Sequence, residues 1–187
     1  LIMGDVTALY APPYHKLGRG GMASVYRMVH RDGTSVAGKV MKRIEATCAK
    51  QSWQVNEIEI MASLQTAREV GKIGSDRLVA FRGAYLAHRD DLSTLAIIMD
   101  EAGGGSLLQI MEKGVPARDF RQRVARETCE ALVFMHSLEI VHRDIKPHNI
   151  LFQSAKGSEE PTGLLLADFG LASRVEDINC EVVCGTP

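Results

Sequence analysis

A glycine cluster set inside a strand-rich stretch narrows the folds open to this chain more than any other feature. Gly18, Gly20 and Gly21 are followed by Ser24-Val25-Tyr26-Arg27-Met28-Val29, a run that favours a strand. Arg31-Asp32-Gly33-Thr34 then gives a hairpin turn, and Thr34 to Met41 reads as a further strand. A dinucleotide loop runs from a strand into a helix, so this stretch points away from that architecture. It points instead to an antiparallel ribbon whose loop lets backbone N–H groups approach an anion closely. Taken alone, the stretch is read equally well as a flexible glycine turn with no ligand.

The rest of the chain continues the pattern. Residues 14–30 carry strand-type runs on both sides of the glycines, and residues 52–70 switch to helical periodicity, with Ile58, Met61 and Leu64 at threes. Leu78–Leu86 and Leu95–Met99 read as two more strands joined by the polar turn His88-Arg89-Asp90-Asp91, and glycines 103–105 break the chain. A second long helix is expected from about Ala117 to Ser137, followed by short strands at Asn149–Phe152 and Leu164–Ala167 with a polar loop at 153–163. Five strands with one helix, then helix and short strands, describe an α+β protein in two parts.

Composition removes several classes of partner. At 45% apolar and 24% charged residues with a net charge of −1, the chain suggests neither a nucleic-acid nor a membrane-surface partner. Its longest apolar run is far short of a membrane span, and Leu1-Ile2-Met3-Gly4-Asp5 lacks the marks of a signal peptide. Cys48, Cys129, Cys180 and Cys184 show no CxxC pairing, which points to a reducing, cytoplasmic setting. The missing initial Met suggests a piece of something longer.

Two charged residues pose a burial problem. Lys39 lies between apolar neighbours on its strand and is costly to bury unless it meets an anion; the alternative is an edge-strand lysine pointing to water. On the following helix Glu57, Met61 and Leu64 are spaced i, i+4 and i+7, so the carboxylate shares a face with core residues, while Glu59 lies with Ala62 and Ser63. An inward carboxylate needs a cationic partner, and Lys39 is the natural one.

The most specific stretch is Val141-His142-Arg143-Asp144-Ile145-Lys146-Pro147-His148-Asn149-Ile150-Leu151, with Ala167-Asp168-Phe169-Gly170 downstream. The first matches H-R-D-x-x-x-x-N and the second D-F-G. Leu17-Gly18-Arg19-Gly20-Gly21-Met22-Ala23-Ser24-Val25 is similar to G-x-G-x-x-G-x-V with Ala23 at the third glycine, and Val36-Ala37-Gly38-Lys39 is similar to V-A-I-K. In this order they make the chain resemble the eukaryotic-type serine/threonine protein kinase superfamily across essentially its whole length.

That resemblance implies a bilobal fold, with 1–101 as the N-lobe and 102–187 as a partial C-lobe. It implies transfer of the γ-phosphate of ATP, with Mg²⁺, to Ser or Thr hydroxyls of a protein substrate. Asp144 would orient the hydroxyl and accept its proton, Lys146 would counter charge on the transferred phosphate, and Asn149 and Asp168 would hold Mg²⁺. Lys39 would hold the α- and β-phosphates with Glu57 as its counter-charge. Residues 17–25 would cover the triphosphate. Met99 would guard the back of the adenine pocket, the backbone of Asp100 and Ala102 would meet the purine edge, and Val25, Ala37 and Leu151 would sandwich the ring. Met61, Phe81, Phe169 and His142 would stack, and His142 would be a packed structural histidine. Lys146 and Cys184-Gly185-Thr186-Pro187 resemble serine/threonine rather than tyrosine kinases, with Thr186 expected to contact Asp144 and Lys146. A pseudokinase-like binding module and a small-molecule phosphotransferase are the alternatives; the first has against it the presence of Lys39, Asp144, Asn149 and Asp168, the second the joint presence of all the motifs.

Two departures carry expectations of their own. Arg143 resembles the arginine that binds a phosphorylated activation loop. Residues 171–183 offer one hydroxyl, Ser173, and Val182 stands where the phosphate commonly sits. Glu181 is expected to supply a constitutive negative charge instead. The family would also continue past Pro187, so Phe120, Leu132 and Met135 are expected to lack part of their packing, and the 187 residues alone to be marginally stable and weakly active or inactive.

Overall fold

A computed structural model describes residues 2–3, 6–20, 23–41, 51–69, 71–89, 92–154 and 161–178. The chain divides into two compact units, Leu1–Ser52 with Ala80–Glu101, and Trp53–Val79 with Ala102–Pro187.

The first unit is a sheet. Its strands are β1 (Ile2–Met3), β2 (Tyr10–Arg19), β3 (Ala23–His30), β4 (Ser35–Met41), β5 (Phe81–Arg89) and β6 (Leu92–Asp100), in the order β1-β5-β6-β4-β3-β2. The five long strands are the five expected, all antiparallel to their neighbours. A sixth, the two-residue β1, is added at the edge and runs parallel to β5. β5 begins at Phe81 rather than Leu78, because Val79 donates its N–H to Leu166 O at 3.0 Å within the second unit. The ladder of β5 and β6 runs out to Arg89 and Leu92, so His88 and Arg89 belong to the strand; Asp90 and Asp91 lie outside the described residues.

Register divides the sheet into two faces. Val25 pairs with Lys39 and Lys39 with Ile97, while Ala37 pairs with Arg27 and Met99; side chains directly opposite each other share a face, and so do residues two apart. The other face carries Met28, Val36, Ala96 and Ile98, closed over by Tyr10 and Tyr85 into one buried cluster. Gly38 sits on this second face, where an added Cβ would lie 2.6 Å from the end of the Met28 side chain. Met28 fills the space that the larger residue of V-A-I-K would need.

The second unit holds α1 from Trp53 onward (the helix spans Gln51–Glu69), α2 (Leu107–Glu112), α3 (Arg118–His136) and four short strands, β7 (Ile140–Val141), β8 (Ile150–Ser154), β9 (Pro161–Leu166) and β10 (Ser173–Arg174). α1 buries Glu57, Ile60, Met61 and Leu64 along one stripe and leaves Glu59 exposed. α2 was not apparent in the sequence. Its Ser106 forms a capping box with Gln109, each side chain meeting the other residue's backbone N–H.

On α3 the buried stripe is Val124, Glu127, Ala131, Phe134 and Met135. Glu127 is tolerated there because its Oε2 accepts the Leu164 N–H at 2.9 Å. Met135 is fully buried, and the Phe120 ring rests against Phe152 with centroids 5.4 Å apart. The expectation of missing packing is therefore corrected for Met135, while Phe120 and Leu132 stay partly exposed. β8 and β9 form a hairpin reaching Ser154 and Pro161, so both ends of the expected polar loop are strand; residues 155–160 lie outside the described ones.

Candidate functional site

In the second unit the site is built at the open end of the β8–β9 hairpin. Ile150 pairs with Leu166, and just beyond the ladder Ala167 donates its N–H to Asn149 O at 2.9 Å. Asn149 and Asp168 thus leave the hairpin side by side. The catalytic-loop turn adds the others: Asn149 N–H bonds Lys146 O at 2.9 Å, and the Asn149 Nδ2 donates to both Asp144 O and Asp144 Oδ2 at 2.9 Å. Lys146 Nζ lies 2.8 Å from the same Asp144 oxygen. Four of the residues singled out in the sequence are therefore brought together.

The scaffold beneath them is locked. His142 is 1% exposed; its Nδ1 accepts the Asp144 N–H at 3.3 Å and its Nε2 donates to Ala167 O at 3.1 Å, a neutral tautomer with both nitrogens engaged. Burial pushes its pKa below the ordinary histidine value despite the Ala167 hydrogen bond. The His142 and Phe169 rings sit 5.3 Å apart, the part of the expected stack that lies within this unit besides Met61. Arg143 and Asp168 both have φ of +64°, a region costly for non-glycine residues and found where function over-determines the backbone. Arg143 Nε donates to Leu171 O at 2.7 Å, and β10 pairs with β7, tying the segment after Asp168 to the strand before His142. Ser173, the expected loop hydroxyl, is buried within β10. Leu151 lies on β8, partly exposed.

In the first unit, Gly20 N–H bonds Ala23 O at 2.9 Å, closing the glycine loop as a hairpin, with Gly18 opposite Val25 and Arg19 opposite Ser24. Leu17 and Arg19 are exposed, and a Cβ on Gly18 would meet nothing within 4 Å. Ala23 is buried in β3 opposite Met41, so it belongs to the strand. Val25, Ala37, Lys39 and Met99 share one sheet face, as the register requires. The Asp100 N–H is taken by Ala80 O at 3.0 Å. Gly21, Met22, Cys48, Cys180, Glu181, Val182, Cys184 and Thr186 lie outside the described residues.

The sequence profile described as the protein kinase domain matches residues 13–187. The chain belongs to the protein kinase domain family. Similar proteins are serine/threonine-protein kinase cst-1 of Caenorhabditis elegans, 31% identical over 194 residues, covering 98% of this chain and 34% of that protein. Serine/threonine-protein kinase hippo of Drosophila melanogaster is 30% identical over 177 residues, covering 92% and 23%. Serine/threonine-protein kinase STE20 of Debaryomyces hansenii is 30% identical over 188 residues, covering 98% and 15%. This kinase domain chain spans about a third or less of the length of these relatives.

Within the kinase frame, sequence reasoning passed over two supports. Glycines 103–105, taken only as a break, run against β8: Gly104 N–H bonds Phe152 O at 2.8 Å, and a Cβ on Gly104 would lie 2.4 Å from Gln153 O. The signal was the uninterrupted glycine triplet itself. Helix α1 is held to the segment after Asp168 by Asn56 Nδ2, which donates to Ala172 O at 2.8 Å, and by Arg174 Nη2, which donates to Ser63 Oγ at 3.1 Å. Neither contact has a sequence signature. No described helix is long and apolar enough to cross a membrane.

Proposed function

We propose that this kinase domain, with 1–101 and 102–187 as its two lobes, transfers the γ-phosphate of Mg·ATP to Ser or Thr hydroxyls of protein substrates. The observation that carries this reading is the convergence of Asp144, Lys146, Asn149 and Asp168 at the open end of one hairpin. Phosphoryl transfer needs little covalent help from a protein; it needs positioning and electrostatic stabilisation of spread negative charge.

Asp144 orients the acceptor hydroxyl and takes its proton, and Asn149 fixes the carboxylate by donating to Oδ2. Lys146, already beside that oxygen, is the cation for charge on the transferred group. Asn149 spends its Nδ2 on Asp144, which leaves Oδ1 as the end for a cation, and Asp168 adds a carboxylate. Two hard oxygen donors suit Mg²⁺, which takes one or two protein ligands and completes its shell with phosphates and water. When bound there, the ion would supply positive charge to offset that of the phosphates.

Lys39 holds the α- and β-phosphates with Glu57 as counter-charge, and residues 17–25 cover the triphosphate. Met99, the Asp100 carbonyl, Ala102, Val25, Ala37 and Leu151 serve the purine. Incubating the intact protein with Mg²⁺ and γ-labelled ATP plus a generic basic protein substrate tests the reading. Label recovered as phosphoserine or phosphothreonine is expected. Nucleotide binding without any transferred label would mean a binding module instead.

A further inference from the structure

The kinase reading leaves one cluster on the nucleotide-bearing sheet face without a task. Glu101 follows β6 directly; its side chain is only 11% exposed, yet it is charged. Both of its oxygens are used. Arg27 Nε donates to Oε1 at 2.7 Å, Arg27 Nη2 donates to the same oxygen, and Ser35 Oγ donates to Oε2 at 2.6 Å. Burial pushes the Glu101 carboxyl up, but the bonds from Arg27 and Ser35 outweigh it and the net displacement is downward. Arg27 is raised in turn by its hydrogen bonds to Glu101.

Location gives the cluster its meaning. Arg27 lies two residues beyond Val25, Ser35 two before Ala37, and Glu101 two beyond Met99, so all three share the sheet face of Lys39. The cluster fastens the chain leaving β6 to β3 and β4 at once, while the Asp100 N–H fastens it to Ala80. An ion pair half in solvent adds little to folding stability, and Arg27 is 46% exposed. Its geometry is another matter, because a forked guanidinium fixes direction as well as distance.

We infer that Arg27, Ser35 and Glu101 are positioning residues that fix the main chain from Met99 to Ala102 and thereby set affinity for the purine nucleotide. This rests on the kinase reading, which assigns that stretch to the purine edge. Main-chain recognition tolerates small displacements poorly, so loosening the clamp weakens nucleotide binding and leaves the chemistry at Asp144 alone.

The test uses the intact protein, with Mg·ADP binding by calorimetry alongside kcat and separate KM values for ATP and peptide. Glu101→Gln and Arg27→Met are each expected to weaken ADP binding and raise the ATP KM about fivefold to tenfold, the scale of one charge-assisted contact. The double variant should be no worse than the poorer single one, and kcat and the peptide KM should stay within about twofold. The reversed pair Arg27→Glu with Glu101→Arg should recover part of the loss. Unchanged ADP affinity in both singles, additive losses, or a parallel fall of every parameter with the melting temperature would each overturn the clamp. Wild-type protein that binds ADP but transfers no phosphate overturns the kinase reading, and the ADP affinities still decide the clamp. Absence of nucleotide binding by the wild type overturns both.

Discussion

The catalytic loop of the second unit and the glycine loop of the first face similar chemical demands with opposite construction. Around Asp144 nearly every polar group is engaged: His142 through both nitrogens, Asn149 through its amide, Lys146 through its ammonium. His142, Asp144 and Asn149 are all buried. Among the described residues of the glycine loop, Gly20 N–H bonds Ala23 O and the strands pair up to Arg19 and Ser24, yet Leu17, Arg19 and Gly20 are exposed and Gly18 has open space around it. The contrast separates two kinds of electrostatic work. A proton acceptor and metal donors must stand in place before the reaction, since reorganising them would cost the rate they supply. A cover for phosphates need only supply backbone N–H groups and can adapt as the ligand arrives.

The comparison can be broken at four places, taken in order of expected effect. Asp168→Asn keeps a residue type that accepts positive φ and removes only the charge. A fall in kcat of about a hundredfold to a thousandfold is expected, with melting temperature held. Steady-state kinetics over a Mg²⁺ titration checks it, and full activity at low Mg²⁺ would contradict the metal assignment.

His142→Leu strips two hydrogen bonds from the locked loop and should cost about 2 kcal/mol in denaturant unfolding. The pH dependence has a definite sign. Because burial lowers the folded pKa of His142, the unfolded chain takes up the proton first as pH drops. The wild type keeps the full contribution above the ordinary histidine value of about 6.5 and loses it as pH falls from there toward the folded pKa. The leucine variant should show a flatter profile across that window, and a profile as steep as the wild type's would show that His142 does not titrate as described.

Gly104→Ala forces a Cβ toward Gln153 O and should destabilise by about 1–3 kcal/mol, read from the same unfolding curves. Gly18→Ala meets open space, so a change in the ATP KM below about threefold and no loss of stability are expected. If Gly18→Ala proved as damaging as Gly104→Ala, the loop would not be the adaptable member of the pair.

What the sequence disclosed depended on whether chemistry or packing wrote the signal. Asp144 and Asn149 were legible through H-R-D-x-x-x-x-N and Asp168 through D-F-G, and Glu57 was separable from Glu59 because helical period alone puts it beside Met61 and Leu64. The five long strands followed from composition and turn residues. Packing left fainter marks. Leu78-Val79-Ala80 runs without a break into Phe81, so nothing in the pattern told where the chain stops bonding Leu166 and enters β5. β1 is two residues long and has no period to read. α2 was masked by glycines 103–105, although Ser106 and Gln109 carry its cap. Glu127 broke the apolar stripe of α3 for the sake of one backbone N–H that only the folded chain brings near.

The most direct trial of the account compares the intact wild type with Asp144→Asn for phosphate transfer from Mg·ATP to a protein substrate. Asparagine keeps the shape and the neighbours of the aspartate but cannot accept the proton. The account predicts phosphoserine or phosphothreonine with the wild type, and a loss of about a hundredfold or more in kcat for the variant at a nearly unchanged ATP KM. Equal turnover by the two proteins would contradict it.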